Sequence, residues 1–405
     1  MTAPFADRTP PRPLRILIST GEVSGDLQGA TLVAALHRQA AVRGQALDIV
    51  ALGGERMAQA GATLWGDTTN IGSVGIFEAL PYLLPILALQ RQVKRRLQAY
   101  PPDLAILIDY MSPNLVLSDY LHRTFPEMPV AYYIAPQQWV WTFKVSDTHR
   151  IVRNVDRVVA IFPEEARYYE KFGASVDWVG HPLLDSIPAP ANTKAARQRL
   201  GISREATVVT LLPASRHQEI TYLLPVMFTA AQQLQRRLPV QYLVPIASEA
   251  LRPAIERAVC DYGLRARIVD GKSRDAIAAA DVALTKSGTV NLEIALLNVP
   301  QVVVYRLNPL SAWIAYHILR FHPRYVSPVN LVEMTPVVPE FIQWQARPEV
   351  IGEAVFHLLQ DPQRRRQMLA GYANMRQALG KPGVCDRAAH TLLDLMQPAA
   401  PPEDN

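Results

Sequence analysis

Residues 14–26, Leu-Arg-Ile-Leu-Ile-Ser-Thr-Gly-Glu-Val-Ser-Gly-Asp, decide the fold of this chain. The aliphatic run Leu14–Ser19 is short and predicts a buried β-strand, and the turn after it leads into a helix-length segment, Leu27–Gln39. Gly21 and Gly25 permit a tight turn between the two elements. The turn has neither the glycine spacing of a dinucleotide-binding fingerprint nor the Gly-Lys-Ser/Thr of a P-loop. The stretch therefore predicts the first strand–turn–helix unit of a parallel α/β sheet.

The same alternation of apolar runs and helical segments continues on both sides of a Pro- and Ala-rich segment, Leu184–Ala196, which we interpret as a linker. The predicted strands are Leu14–Ser19, Asp48–Leu52, Leu104–Ile108, Val130–Ile134 and Arg157–Ile161 before it, and Thr207–Leu212, Gln241–Pro245, Arg267–Val269, Val282–Thr285 and Gln301–Tyr305 after it. This order predicts an α/β protein of two Rossmann-like domains, with parallel sheets facing an interdomain cleft. The expected boundaries are a disordered tail over 1–13, an N-terminal domain over 14–185, a C-terminal domain over 186–375, and a C-terminal helix and tail over 376–405.

Composition excludes several classes of protein. The chain has 405 residues, of which 49% are hydrophobic and 19% charged, with a formal net charge of +5, so it is neither disordered nor collagen-like. Cys260 and Cys385 cannot form a disulfide framework, and residues 1–13 lack the apolar region of a secretory signal. No run of about 18 apolar residues predicts a membrane-spanning helix. We expect a cytoplasmic protein, and no dense basic run indicates nucleic-acid binding.

In an open parallel sheet, ligands bind beyond the carboxyl ends of the strands. After the first strand, Glu22, Ser24, Gly25 and Asp26 lie in one turn, and the two carboxylates would repel a pyrophosphate. The turn therefore predicts contact with a hydroxyl-rich substrate, and a helix capped by Ser24 or Asp26 is the alternative.

Asp109 follows the buried strand Leu104–Ile108, where a carboxylate is costly unless it has a function or a partner. Partial desolvation at that position would suit a general base, so Asp109 is a candidate catalytic residue. The alternative, which the residues favour equally, is a helix cap.

Aromatic residues follow the next strand. Trp139 and Trp141, close to Pro136, predict a rigid wall for sugar or acyl contact, and ordinary core packing is the alternative. His181 follows a further strand, and a lone histidine there is more often a structural hydrogen-bonding residue than a catalyst.

The second half carries candidate phosphate ligands. Arg216 can pair bidentately with phosphate oxygens, and Lys286 adds positive charge. Glu293 follows Thr289 by about one helical turn, where it can reach ribose hydroxyls. Small and hydroxyl residues at a helix start favour a diphosphate, with plain helix capping as the alternative; here they are Ser287, Gly288 and Thr289. The histidines and cysteines have no zinc spacing and no Asp-x-Asp pair occurs, so we expect no metal.

Taken together, these loops resemble the lipid-A-disaccharide synthase family of GT-B glycosyltransferases. The motifs that carry the resemblance, in the family's order over roughly residues 14–390, are 21–26, Asp109 with Asn114, Pro136 with Trp139 and Trp141, 162–165 with 180–183, 212–216 with Glu219, 287–289 with Glu293, and 327–330. Ser112 stands where many relatives have a second acidic residue, so the base is left open among Asp109, Glu22 and Asp26.

The resemblance implies a reaction. It is the transfer of 2,3-diacylglucosamine from UDP-2,3-diacylglucosamine to the 6-hydroxyl of 2,3-diacylglucosamine 1-phosphate (lipid X), giving the β-1′,6-linked lipid A disaccharide phosphate and UDP. Inversion of the anomeric centre needs one base and stabilisation of the leaving diphosphate. The implied base is Asp109, helped by Glu22 or Asp26, and no cofactor is expected. The implied donor ligands are Arg216, Lys286, Ser287, Gly288, Thr289, Glu293 and Asn330, and the implied acceptor and lipid side is Ser24, Gly25, Asn114, Trp139, Trp141 and His181.

Acylated substrates imply a peripheral protein on the cytoplasmic face of the inner membrane. From the residues alone, the apolar stretch Ala79–Leu89 is better interpreted as a buried helix, but the resemblance favours membrane docking through it and the basic residues that follow, Arg91, Lys94, Arg95 and Arg96. The aromatic segment Trp313–Phe321, with Arg320 and Arg324, is a second candidate. The resemblance also implies a homodimer that exchanges C-terminal helices.

Two other functions remain open from the residues. A UDP-sugar epimerase, or a transferase with a soluble acceptor, would need no lipid-facing surface. A catalytically inactive module that binds UDP and associates with membranes would show no turnover.

Overall fold

The computed structural model of this chain describes residues 12–69, 83–141, 144–187, 189–214, 217–246 and 248–396. These residues form two compact units. The first unit runs to Pro182 and takes up the chain again from Gly383, and the second runs from Leu183 to Pro382. Within these ranges, no helix combines the length and the apolar character needed to cross a membrane.

The first unit is built on a parallel sheet. Its strands are β1 Leu14–Ser19, β2 Leu47–Gly53, β3 Thr63–Asp67, β4 Leu104–Ile108, β5 Val130–Tyr133, β6 Arg157–Ala160 and β7 Val176–Trp178. Its first helices are α1 Glu22–Val42, α2 Glu55–Gln59, α3 Leu83–Ala99, α4 Met111–Thr124, α5 Val145–Asn154 and α6 Pro163–Lys171. The strand order is β3-β2-β1-β4-β5-β6-β7. Because β1 and β4 are parallel neighbours, the turns that follow them lie side by side at the carboxyl edge of the sheet.

The second unit repeats this architecture. Its strands are β8 Thr207–Leu212, β9 Val240–Pro245, β10 Ala266–Val269, β11 Val282–Lys286, β12 Gln301–Tyr305 and β13 Glu340–Ile342, in the parallel order β10-β9-β8-β11-β12-β13. Its helices are α7 Leu183–Ser186, α8 Thr193–Leu200, α9 His217–Arg237, α10 Arg252–Asp261, α11 Ser273–Ala278, α12 Val290–Leu296, α13 Pro309–Trp313, α14 Pro328–Leu331, α15 Pro348–Gln360 and α16 Pro362–Ala378. A π-helical turn, Ile314–Ile318, continues α13.

The central strands are buried on both faces, as parallel strands covered by helices must be. All five residues of β4 are inaccessible to solvent. In the first unit, Leu107 and Tyr132 from the sheet pack with Leu97 of α3 and Leu121 of α4. Complete burial of one such leucine side chain contributes about 1.5–3 kcal/mol, so this packing holds the strand ends, and the turns after them, in place.

The last helix returns the chain to the first unit. This helix, α17 Val384–Asp394, packs on α1 of the same chain and buries Ala388 and Leu392. Arg38 of α1 pairs with Asp386 at 2.7 Å.

Of the N-terminal tail predicted over residues 1–13, the structure describes Arg12 and Pro13, and Arg12 pairs with Asp103 at 2.6 Å. Residues 1–11 lie outside the described residues.

All ten predicted strands are confirmed, with ends that differ by one residue at most. Three observed strands are missing from the predicted ranges, β3, β7 and β13, and all three lie at sheet edges. Of these, β7 is the strand expected before His181, for which no range was predicted. The segment interpreted as a linker begins within α7 and ends within α8, and Ala191 N–H donates to the carbonyl oxygen of Leu297 at 3.2 Å.

Candidate active site

The turn after β4 presents Asp109 on an unusual backbone. Asp109 has a φ of 44° and Tyr110 a φ of 50°, both in the left-handed region that non-glycine residues seldom adopt. Asn114 Nδ2 donates to the carbonyl oxygens of Asp109 at 2.9 Å and of Ser19 at 3.2 Å, and the Tyr132 hydroxyl donates to Asp109 O at 2.8 Å. Such backbone strain, of order 1–3 kcal/mol per residue, persists only where surrounding bonds maintain it.

Two expectations about this turn are wrong. Asp109 is exposed in the chain itself, so the partial desolvation expected for it is not supplied by neighbouring residues. Asn114 is completely buried, and its Oδ1 accepts a hydrogen bond from Ser19 Oγ at 2.7 Å. The residue therefore holds the turn together and does not contact the acceptor substrate.

Glu22 faces this turn from the end of β1. Its φ is 63°, and its backbone N–H donates to Thr68 O at 3.2 Å. The ring of Tyr110 packs against Gly21 so closely that a Cβ there would lie 2.3 Å from it. Burial, and then the negative charge of Glu22, raise the pKa of Tyr110 to about 12. The structure thus brings Glu22 and the Asp109–Tyr110 turn together.

Asp26 has a structural task. Its Oδ1 accepts from the backbone N–H of Gly54 at 2.8 Å and of Met57 at 3.2 Å, and its Oδ2 accepts from that of Arg56 at 3.3 Å. The residue is buried and caps the start of α2. The prediction that Asp26 positions the acceptor substrate is therefore wrong. Asp26 does cap a helix, as the alternative held, but that helix is α2 and not the one that contains Asp26.

Of the two other predicted residues of this loop, Gly25 is buried and Ser24 half-buried. A Cβ at Gly25 would lie 1.9 Å from Thr20 Oγ1, so this position requires glycine for packing.

Trp139, one residue of the predicted aromatic wall, belongs to a row of packed rings beyond β5 and β6. The Trp139 and Phe162 ring centroids are 5.5 Å apart, and those of Phe162 and His181 are 5.2 Å apart. Burial lowers the pKa of His181 to about 3, so its imidazole is neutral and it serves as a packed ring, not as an acid or base at neutral pH. Trp141 follows Trp139 closely in the sequence and is half-buried.

A buried carboxyl group supports the same strand ends, and sequence reasoning missed it as a site residue. Glu165 Oε1 accepts from Ala135 N at 2.7 Å, and its Oε2 accepts from Ile161 N at 2.9 Å and Phe162 N at 3.2 Å. Desolvation raises its pKa to about 7 against these three donors, and the charge of Asp109 adds to the increase. The only sequence signal was its place in the 162–165 motif.

In the second unit, Lys286 ends β11 and pairs with Glu219 of α9 at 2.9 Å, both side chains being mostly buried. A Cβ at Gly288 would lie 3.5 Å from Lys286 Nζ, so the absence of a side chain there leaves space beside the ammonium group. An ammonium group has three donors, and Glu219 Oε1 accepts one of them.

Several polar groups of the loop after β11 form hydrogen bonds within the chain. Ser287 N–H donates to Val304 O at 3.1 Å, Ser287 Oγ donates to Val326 O at 2.6 Å, and Gly288 N–H donates to Asn291 Oδ1 at 3.0 Å. Thr289, at the start of α12, makes no side-chain capping bond. These groups of Ser287 and Gly288 bond within the chain, and the expectation that Ser287, Gly288 and Thr289 hold UDP stays a prediction.

Glu293 pairs with a residue that sequence reasoning missed. Arg274 Nε donates to Glu293 Oε1 at 2.7 Å, and Arg274 also donates to Ser186 O at 3.1 Å. The pair orients the Glu293 carboxylate at the surface of the second unit. Arg216, the other predicted phosphate ligand, lies outside the described residues.

Asn330 is also structural. Its Oδ1 accepts from the backbone N–H groups of Val337 and Val338 at 2.8 Å, and its Nδ2 donates to Val338 O and to Glu340. Because the residue is buried and these bonds use both ends of the amide, the expectation that it reaches a diphosphate is wrong.

Several solved structures share this architecture, and two of those described next hold UDP-GlcNAc or UDP. A UDP-GlcNAc 2-epimerase from Neisseria meningitidis bound to UDP-GlcNAc matches with a TM-score of 0.60 at 12% identity, over 94% of this chain and all of that one. An S. aureus MnaA–UDP co-structure matches with a TM-score of 0.64 at 12% identity, over 97% and 100%. CalG4, the calicheamicin glycosyltransferase, matches with a TM-score of 0.57 at 17% identity, over 96% and 100%. At these identities the likeness shows the fold alone.

The two parallel-sheet units define a protein of the GT-B fold. The family described as lipid-A-disaccharide synthetase matches residues 16–394. The chain belongs to this family.

Relatives named lipid-A-disaccharide synthase match almost the whole chain. The lipid-A-disaccharide synthase of Gloeothece citriformis is 55% identical over 94% of this chain and 100% of its own length. Those of a Synechocystis species and of Myxococcus xanthus are 50% and 37% identical, over 94% and 95% of this chain and 98% of each relative. The resemblance inferred from the loops is confirmed.

Proposed function

We propose that this chain transfers 2,3-diacylglucosamine from UDP-2,3-diacylglucosamine to the 6-hydroxyl of 2,3-diacylglucosamine 1-phosphate, with inversion and without a metal ion. The acceptor oxygen forms a bond to the anomeric carbon while the bond from that carbon to the diphosphate breaks. The hydroxyl proton passes to a carboxylate, and UDP leaves.

The observation that carries the proposal is the position of Asp109. An exposed carboxylate stands at the carboxyl end of the central strand β4, on a strained turn that Asn114 and Tyr132 stabilise. Glu22 follows the neighbouring strand β1, and its negative charge contributes, after burial, to the raised pKa of Tyr110. We assign the role of general base to Asp109 and the orientation of the acceptor substrate to Glu22. A general base of this kind contributes about 10²–10⁴-fold to the rate.

On the donor side, Lys286 supports binding of the diphosphate, because its ammonium group has three donors and, among the described residues, Glu219 accepts one of them. Glu293, oriented by Arg274, suits the ribose hydroxyls, which need an acceptor. Thr289 and Arg216 complete the proposed donor set. Cations beside a leaving diphosphate stabilise the charge that develops on it.

The lipid side is proposed at α3. Leu84 is 78% exposed and Leu87 49% exposed, and the exposed Arg91 and Arg95 follow on the same helix. Exposed leucines followed by cations suit the surface of an anionic membrane. These features support peripheral attachment to the cytoplasmic face of the membrane. The homodimer with exchanged C-terminal helices stays a prediction.

UDP release tests the proposal. The full chain is mixed with UDP-2,3-diacylglucosamine in mild detergent and EDTA, with and without the acceptor, and both UDP and the disaccharide product are measured. We expect release that requires the acceptor, persists in EDTA, and falls about 10²–10⁴-fold in Asp109→Asn. Asp177→Asn is the matched control, since Asp177 forms an ion pair with Arg157 at 3.0 Å and lies away from the proposed site.

Four outcomes contradict parts of the proposal. Release of UDP without the acceptor favours a hydrolase, and conversion of the UDP-sugar into an isomer without release of UDP favours an epimerase. Loss of activity in EDTA that Mg²⁺ restores contradicts metal independence. UDP binding without any turnover favours an inactive module.

A further inference from the structure

A cluster of exposed apolar and aromatic side chains covers one surface of the second unit. We name it the Trp313 surface, and its members are Leu310, Trp313, Tyr316, Ile318, Leu319 and Trp344. Their exposed fractions run from 43% for Tyr316 to 62% for Ile318. A helix on the surface of a soluble domain normally presents polar residues at its exposed positions. Contiguous exposed apolar residues of this kind mark an interaction site.

The rings of this surface contact one another. The Tyr316 ring centroid lies 5.4 Å from that of Trp344 and 5.2 Å from that of His317, which is 5.2 Å from Trp313. The π-helical turn Ile314–Ile318 continues α13 through this cluster, and π-turns occur frequently at functional sites. The small residues Ser311 and Ala312 are buried, so the segment attaches to the unit by them and directs its large side chains outwards.

Charge identifies the kind of partner. Residues 306–332 contain Arg306, Arg320 and Arg324 and no aspartate or glutamate. Arg320 and Arg324 are exposed, at the end of the aromatic segment. Half-exposed tryptophan and tyrosine beside arginine is the composition that inserts at the boundary between lipid headgroups and acyl chains. A self-complementary interface with a second copy would bring like charges together across its two-fold axis, which disfavours that occupant.

We propose that the Trp313 surface docks on the surface of an anionic lipid bilayer. This is a contact of the second unit, additional to the one at α3 of the first. It rests on the proposed function for its purpose, because a donor that carries acyl chains must be taken from a membrane. Its test does not depend on that function, since vesicle binding needs no turnover.

The test measures binding of the full chain to vesicles by flotation, with phosphatidylcholine alone and with phosphatidylglycerol added. Trp313→Ala should weaken partition onto the anionic vesicles at least about tenfold, because the indole no longer enters the interface. Trp178→Ala is the matched control, since Trp178 is similarly exposed, at 47%, on β7 of the first unit. It should leave partition unchanged.

A second variant tests the charge. Arg320→Ala should weaken binding about fivefold on anionic vesicles and leave binding to phosphatidylcholine unchanged. Arg236→Ala, an exposed arginine of α9, is its control and should show no effect.

Several results would overturn the proposal. They are unchanged partition of Trp313→Ala, an equal effect of Arg320→Ala on both vesicle types, and a change of mass in light scattering, which would make the surface a subunit interface. UDP release from detergent-dispersed substrates should stay normal in both variants, and its loss would assign the surface to substrate binding. If the wild-type chain shows no turnover but floats with vesicles, and Trp313→Ala does not, the proposed reaction fails and the docking surface stands.

Discussion

Asn114 Nδ2 lies 2.9 Å from the carbonyl oxygen of Asp109, and the same amide bonds to Ser19 at the end of the neighbouring strand. One completely buried side chain therefore joins the ends of β1 and β4 and maintains the left-handed backbone that presents the Asp109 carboxylate. Its removal should affect both stability and catalysis.

Asn114→Ala should lower the free energy of unfolding by about 2–4 kcal/mol, because several buried polar groups lose their partner at once. It should also lower kcat, since the turn no longer holds Asp109. Urea unfolding and UDP release measure the two effects. Asn192→Ala is the control: it removes only the cap of α8, a bond of 3.0 Å to Ala195 N, and should cost about 1 kcal/mol without changing kcat. An active Asn114→Ala enzyme of normal stability would contradict this role.

The candidate bases separate by their environments. Asp109→Asn should lower kcat about 10²–10⁴-fold while the free energy of unfolding changes by less than about 0.5 kcal/mol, because the residue is exposed. Asp26→Asn should do the reverse. It replaces one acceptor oxygen of the α2 cap by a donor, and should destabilise the chain by about 1–3 kcal/mol with kcat retained in the folded fraction. If Glu22→Gln carries the loss of kcat and Asp109→Asn does not, the base is Glu22.

The inner strands could be predicted from sequence because burial on both faces demands continuous aliphatic runs, as in β4. Strand β3 was missed because none of its residues 63–67 is buried, and because its tryptophan, glycine and aspartate break the apolar pattern. The edge strand β13, Glu340–Ile342, is only three residues long and begins with a carboxylate. Neither leaves a periodic signal.

The positions of candidate site residues could be predicted where they depend only on the end of a strand, and the roles of these residues stay predictions. Asp109 and Glu22 follow strands β4 and β1, and strand ends can be located from sequence. Asp26 was misassigned because its partners, Gly54 and Met57, lie about 30 residues away and nothing in the local pattern indicates them. Arg274 was missed for the same reason, since its contact with Glu293 joins two helices through the fold.

The Arg274–Glu293 pair should affect donor binding more than turnover. Arg274→Ala removes the bond that orients Glu293, so we expect KM for the UDP-sugar to rise about tenfold with kcat nearly unchanged. Glu293→Gln should weaken UDP binding about 10–100-fold, as expected for hydrogen bonds to a charged group. Calorimetry with UDP and steady-state kinetics measure these effects. Arg199→Ala, which breaks a comparable exposed pair with Asp275, should change neither, and an equal effect there would contradict the assignment.

The buried Glu165 should make stability depend on pH. Burial raises its pKa from an ordinary 4.5 to about 7, so between these values the folded chain keeps a proton that the unfolded chain releases. Its contribution to stability is therefore complete below pH 4.5 and is lost as pH rises through 7, by roughly 3 kcal/mol. His181, whose pKa burial lowers from 6.5 to about 3, acts in the opposite direction below pH 6.5, so the wild-type curve shows only the sum.

Comparison with Glu165→Gln isolates the carboxyl group, because His181 is present in both proteins. Urea unfolding at a series of pH values should show the wild-type free energy falling, relative to the variant, by roughly 3 kcal/mol between pH 4.5 and 7.5. Glu164→Gln is the control: Glu164 precedes Glu165 in the same helix but pairs with Arg167 near the surface at 2.7 Å. That variant should follow the wild-type pH dependence. A constant difference between wild type and Glu165→Gln would mean that the carboxyl group stays ionised on its three backbone donors, and that their hydrogen bonds outweigh its desolvation.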